Sequence, residues 1–305
     1  MPKVEADDAP HSSFTDHLVR VVDGEIEGVA TASGDGLRPV FARDEDDAVA
    51  QGMAYVLLGQ TEGSRETLAS GADRLREALE RAPEAGEAQF LLGFALLKLN
   101  KPTDAIEPLR AAVAVQANPE RLNALAEAYE RAGQASGDPA ALYQQALQIQ
   151  PAAAGIRVNY GRFLEAQGRT EEALRTYQQA LGAEPWNGLA HYNLGTLLAR
   201  QGDAPGAVAR LREAVRLIPT HGDALTNLGV LLAQQGNESE AGPLLVRAVE
   251  AEPRNANAQA NLALYRLNTG DLDDALDRAR LAIQFNPGQQ TAQQVLSILQ
   301  QNGIQ

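Results

Sequence analysis

A period of 34 residues constrains this chain more than any other feature. Gly161, Gly195, Gly229 and Ala263 share one phase, and Gly168, Gly202, Gly236 and Gly270 a second. Ala173, Ala207, Ala241 and Ala275 form a third, Ala180, Ala214, Ala248 and Ala282 a fourth, and Pro185, Pro219, Pro253 and Pro287 a fifth. Such a fixed period implies one supersecondary unit stacked on copies of itself. Each phase has a physical job. A small residue lets two helices approach closely, and the second Gly suits the left-handed turn that ends a helix. Thr170, Asp203, Asn237 and Asp271 follow that Gly, where a cap accepts from the free amides of the next helix. The two Ala phases mark helix crossings, and the Pro stops the second helix. The unit is therefore a helical hairpin, helix A followed by helix B.

Position by position this resembles the tetratricopeptide repeat: large at 7, small at 8, large at 11, Gly at 15, Ala at 20, large at 24, Ala at 27 and Pro at 32. The resemblance is close over 154–187, 188–221, 222–255 and 256–289, and looser over 45–85, 86–118 and 119–153. It implies an all-α, right-handed superhelical solenoid of about seven helix-turn-helix hairpins over 45–305, capped by a helix in 290–305 and preceded by an irregular acidic arm, 1–44. Several departures carry local expectations. Asn100 replaces a turn Gly, Pro139 should make its helix start late, and Gln60–Thr67 reads as an enlarged loop. Gly242 and Pro243 should kink helix B or delay it, with a bend facing solvent. His191 and Trp186 read as packing residues, Trp186 at an inter-repeat turn.

In this family helix A of each repeat lines the concave face, and ligands meet positions 2, 5, 6, 9, 12 and 13. Position 6 is Asn159, Asn193, Asn227 and Asn261, a ladder resembling that in the superhelical repeats of O-linked N-acetylglucosamine transferases. An amide offers donors and an acceptor, matching the N–H and C=O of an extended peptide whatever its sequence. Tyr192, Arg162 and Arg200 are the candidate anchors beside it. The Lys and Asn pair that chaperone-tail binders use to clamp a C-terminal carboxylate is missing. Phe90, Leu91, Phe94 and Leu97 give the first full copy an apolar patch, which the N-terminal segment is expected to cover.

Charge and composition exclude several functions. The net charge of −14 opposes nucleic-acid binding, and residues 1–50 contribute −8 of it. Cys is absent, so thiolate catalysis, cysteine-ligated metal and covalent haem attachment have no residues within the chain. No apolar run reaches the roughly 18–20 residues that span a bilayer, and the acidic first residues lack a secretory h-region. Gly59–Gly63 and Gly28–Gly36 lack the Lys-Ser/Thr of a phosphate loop, so no catalytic residues are assigned.

In the arm, Met1-Pro2-Lys3, Ala9-Pro10-His11 and Phe14-Thr15-Asp16-His17 resemble the tail of a multihaem cytochrome c domain fused to such repeats. In those proteins a C-x-x-C-H motif precedes Met-Pro and a downstream His supplies an axial haem ligand. The resemblance implies that Met1 is an internal start, that His11 or His17 would ligate haem held by upstream sequence, and that the whole would be periplasmic. Without that upstream part no cofactor is expected and the chain reads as cytoplasmic. The leading expectation is a non-catalytic protein-interaction scaffold with an extended peptide or partner protein in its groove. The alternative is the repeat portion of a multihaem redox protein. Homodimerisation through a terminal helix is open to either.

Overall fold

A computed structural model describes residues 48–133 and 137–304. The regular elements among them are all helices. The chain divides into two compact units, one ending at Lys101 and the other beginning at Pro102, so the division falls inside the expected 86–118 repeat. The first unit holds α1 (Ala48–Glu62), α2 (Arg65–Leu79) and α3 (Gly86–Lys98). The second holds α4 (Pro102–Val115), α5 (Pro119–Ala132), α6 (Pro139–Ile149), α7 (Ala154–Ala166), α8 (Thr170–Ala183), α9 (Gly188–Arg200) and α10 (Ala204–Leu217). It continues with α11 (Gly222–Gln234), α12 (Glu238–Ala251), α13 (Ala256–Thr269), α14 (Leu272–Phe285) and α15 (Gln290–Gln301).

Helix ends fall where the repeat phases put them. Gly168, Gly202, Gly236 and Gly270 have φ between +73° and +86°, and Asn100, in the equivalent place, adopts φ +63°. At each, the next residue's N–H reaches the carbonyl five residues back: Lys101 to Leu96, Arg169 to Leu164, Asp203 to Leu198, Asn237 to Leu232 and Asp271 to Arg266, at 2.8–3.0 Å. This is the Schellman closure, which satisfies an orphan carbonyl and turns the chain back. Asp203 and Asp271 then cap α10 and α14 by accepting from Gly206 and Asp274. Thr170 and Asn237 do not cap as expected. Thr170 is already the first residue of α8, and Asn237 instead donates through its amide to Glu240.

Position 4 closes the opposite turn. The side chains of Gln89, His191, Gln259 and Gln293 each donate to the carbonyl of the proline six residues earlier, Pro83, Pro185, Pro253 and Pro287, at 2.8–3.1 Å. That carbonyl lies just past the end of helix B, where no amide of the helix can reach it. His191 is therefore a buried packing residue, as its place suggested, with Nε2 on Pro185. Where the repeat lacks its proline, buried Arg121 donates instead to the carbonyls of Ala112 and Gln116.

Helices A and B pack as pairs in the second unit (α5 on α6, α7 on α8, α9 on α10, α11 on α12, α13 on α14), and α15 covers α13 and α14. All eight phase alanines are fully buried. A Cβ on Gly195 would meet Leu211 at 2.9 Å and one on Gly229 would meet Leu245 at 2.8 Å, so the small phase sets how closely the hairpin closes. Pro139 starts α6 at its first position, and that helix has 11 residues against 14 for α8, α10, α12 and α14. A proline there loses no hydrogen bond.

Three local expectations need correcting. Gln60–Thr67 is not an enlarged loop: α1 continues to Glu62, Gly63 takes φ +65°, and Ser64 caps α2 by accepting from Thr67. Gly59, at position 15 of the 45–85 copy where the repeat has its turn Gly, is instead a buried contact against Leu68. α12 does not start late: it runs through 238–251 with Pro243 inside it, on the solvent-facing side. Trp186 does not pack, being 60 % exposed. Asn187 accepts from Ala190 and its N–H donates to the Glu184 carbonyl, which closes the turn that carries Trp186. Of the apolar patch, Phe90, Leu91 and Leu97 are buried; the arm expected to cover it lies outside the described residues.

Candidate functional site

The first helices of the hairpins, α5, α7, α9, α11 and α13, bring the ladder positions onto one face of the second unit. Neighbours along this face touch directly, α5 with α7, α7 with α9 and α11 with α13. All four ladder asparagines are half-buried. Asn159 donates through Nδ2 to Oδ1 of Asn123 (3.0 Å), Asn227 to Oγ1 of Thr196 (3.2 Å) and Asn261 to the carbonyl of Asn257 (2.8 Å). One amide N–H of each is thus engaged, two of them by the preceding hairpin, and the carbonyl oxygen is the acceptor that each has to offer.

The charged half of the face lies on α5 and α7. Tyr143 and Tyr177, both fully buried, donate to Glu130 and Glu165 (3.1 Å each). Arg200 forms an ion pair with Glu165. Arg162 is exposed and lies close enough to Glu130, Tyr143 and Tyr177 to act on them electrostatically. Burial holds the Glu130 carboxyl above its ordinary range, against the opposing pull of the Tyr143 bond and the Arg162 charge. A carboxyl whose folded pKa is raised binds its proton more tightly in the folded state. Its contribution to stability is therefore lost as pH rises through that interval. Glu130→Gln keeps an acceptor for Tyr143, so it is expected to unfold at higher urea than the parent at pH 7 and to lose that advantage at pH 4. A midpoint difference that is unchanged or reversed between the two pH values contradicts the assignment.

The other half is recessed and nearly uncharged. A cavity of ≈ 340 Å³ spans α9, α11 and α13, lined among others by Thr196, Arg200, Asn227, Val230 and Asn261. It adjoins a second of ≈ 190 Å³ between α11, α12 and α13, which shares Val230, Gln234 and Asn261 and adds Ala233, Glu238, Leu245, Leu264 and Tyr265 among others. Tyr192 is half-buried, its ring 4.5 Å from that of His221, and burial raises its phenol's pKa. His221 itself caps α11 by accepting from Ala224.

Of the residues named from sequence, Asn227, Asn261 and Arg200 therefore meet at one place. Asn159 and Arg162 stand on the charged half, and Asn193 lines neither cavity. Tyr265 was missed because it stands at position 10, outside the ligand positions of the repeat. Gly242 was its signal. A Cβ there would lie 2.7 Å from the Tyr265 hydroxyl, which donates to the carbonyl of Glu238, so this glycine makes room for the ring.

Among the described residues no cluster of three or more His, Asp and Glu could hold a metal ion. None of the described helices is long and apolar enough to cross a membrane.

Tetratricopeptide repeat models match residues 56–121 and 126–185, and the model of the cilia and flagella-associated protein 70 middle TPR-like domain matches 164–286. The curated proteins contain no match. Among solved structures, Cut9 in the APC/C hetero-tetramer Cut9–Hcn1 superposes with a TM-score of 0.66 at 16 % identity, over 84 % of this chain and 49 % of that one. PilF of Pseudomonas aeruginosa gives 0.62 at 22 %, over 70 % and 98 %, and the human IFIT1 dimer with m7Gppp-AAAA gives 0.62 at 17 %, over 83 % and 61 %. This chain thus spans about half the length of Cut9. His11, His17 and the cytochrome-tail resemblance lie outside the described residues, and these matches, which begin at residue 56, lend that resemblance nothing.

Proposed function

We propose, from the premise that this chain is built of tetratricopeptide repeats, that it is a non-catalytic protein-interaction scaffold whose partner lies extended along the face of α9, α11 and α13. The observation that carries this reading is the pair of adjoining cavities, ≈ 340 and ≈ 190 Å³, with Asn227 and Asn261 on their walls. A continuous recess crossing successive helices fits a chain laid across them. Side-chain amides at a regular spacing hold its backbone without reading its sequence. The asparagine geometry makes them acceptors toward ligand N–H groups, because part of each amide's donor capacity is engaged within the protein. The repeat family and the fold neighbours support protein binding in general.

The test starts from dodecapeptides selected on the intact chain from a random display library. One hydrogen bond is worth about 1 kcal/mol net, so the double variant Asn227→Ala, Asn261→Ala is expected to weaken the selected peptides about thirtyfold. Fluorescence polarisation measures it, with the urea midpoint as a control for folding. Unchanged affinity in a folded double variant refutes the groove.

A further inference from the structure

The two halves of the face differ in a way that restricts the partner. On α11 and α13 positions 5, 6, 9, 12 and 13 read Thr226, Asn227, Val230, Ala233, Gln234 and Ala260, Asn261, Leu264, Leu267, Asn268, without one charge, and position 2 adds Asp223 and Asn257. The corresponding positions of α5 and α7 carry Glu127, Glu130, Arg131, Arg162 and Glu165. In a chain of net charge −14, a window over two consecutive repeats whose ligand positions hold a single charge, Asp223, is a selective surface. A charged group drawn among these side chains would lose water, and the charges nearby are Glu238 at the exposed edge of the smaller cavity and Arg200, already paired with Glu165, in the larger. Of the two adjoining cavities, ≈ 340 and ≈ 190 Å³, the smaller lies between α11, α12 and α13. It has the size of a side chain. Its walls are apolar (Val230, Ala233, Leu245, Leu264), and Tyr265 presents its ring because the hydroxyl is engaged by Glu238. Gln234, Asn261 and Asn268 supply neutral amides.

Resting on the groove reading above, we propose that the partner docks through an uncharged extended stretch carrying one large apolar side chain. That side chain, of leucine or phenylalanine size, seats between α11 and α13. Asn227 and Asn261 hold the backbone beside it, and any charged residues of the partner lie toward α5 and α7. The apolar side chain supplies the affinity that the amides lack, and the nearly uncharged window supplies the selectivity.

The selected dodecapeptides are the probe. They are expected to share an uncharged run with one Leu, Ile, Met or Phe, and changing that residue to Ala is expected to weaken binding about tenfold to a hundredfold. Filling the cavity by Ala233→Phe, or by Asn268→Phe where residue 268 is exposed and folding is not at risk, should abolish the difference between the apolar and Ala peptides. Peptides that carry charges throughout, or that bind Asn268→Phe as well as the parent, overturn the anchor cavity. If those same peptides still weaken in the asparagine double variant, the groove stands and only the anchor falls. Peptides indifferent to both sets of variants, or no selected peptides at all, overturn both.

Discussion

Tyr177→Ala is expected to destabilise the second unit by about 3–5 kcal/mol, the range for truncating a buried aromatic to alanine. The side chain is fully buried in a cluster with Tyr160, Phe163, Ala173, Leu194 and Leu197, residues drawn from three helices. A Cβ on Gly161 would lie 2.4 Å from its ring, so α7 and α8 close directly onto it. Truncation removes the filling of a space that the backbone of two helices defines and cannot easily collapse. The hydroxyl contributes much less. Tyr177→Phe leaves Glu165 paired with Arg200, so it is expected to cost only about 1 kcal/mol. Urea unfolding followed by circular dichroism distinguishes the two. Equal losses in the two variants would mean that the hydrogen bond, and not the packing, holds this hairpin.

Gly59→Leu should be nearly as damaging in the first unit, costing about 3 kcal/mol, the upper end for overpacking. A Cβ at 59 would fall 2.5 Å from the Leu68 backbone nitrogen, and one on Gly71 would fall 2.6 Å from that of Val56. In both cases the obstacle is backbone. Relief requires α1 and α2 to separate, which exposes Val56, Leu68 and Leu75, all buried in the parent. Hydrogen exchange on the whole chain measures this, with lost protection of the α1 and α2 amides as the expected result. Protection equal to the parent's would mean that the two helices tolerate a wider spacing than their glycines imply.

Gly59 also illustrates what could be read early. In sequence it occupies the place of a turn glycine, yet Gly63 makes the turn and Gly59 makes the contact. A glycine suits both uses, and only the partner helix distinguishes them. In the regular repeats the ambiguity vanished because four copies agreed, so both α8 and α14 could be placed from Gly and Pro alone. Trp186 misled in another way. Its place at an inter-repeat turn argued for packing, and the hydrogen bonds of Asn187 and His191 do close that turn, yet the ring stands exposed on it.

The candidate site was legible in part. The asparagine spacing needed only counting, and Asn227 and Asn261 do lie together on the recess. That Asn193 is outside it, and that Tyr265 is inside, depends on how much volume each neighbour fills. Gly242 leaves a space that Tyr265 enters from a different hairpin.

In the regular repeats the sequence by itself determined the hairpins, their order and where they turn, because a left-handed glycine and a proline act on backbone within a few residues of themselves; in the first hairpin, where the copies do not agree, it did not. Tertiary structure decided where the recess opens and which residues line it. A cavity is the volume left unfilled by side chains from several helices, here of successive hairpins, and no local pattern records that remainder.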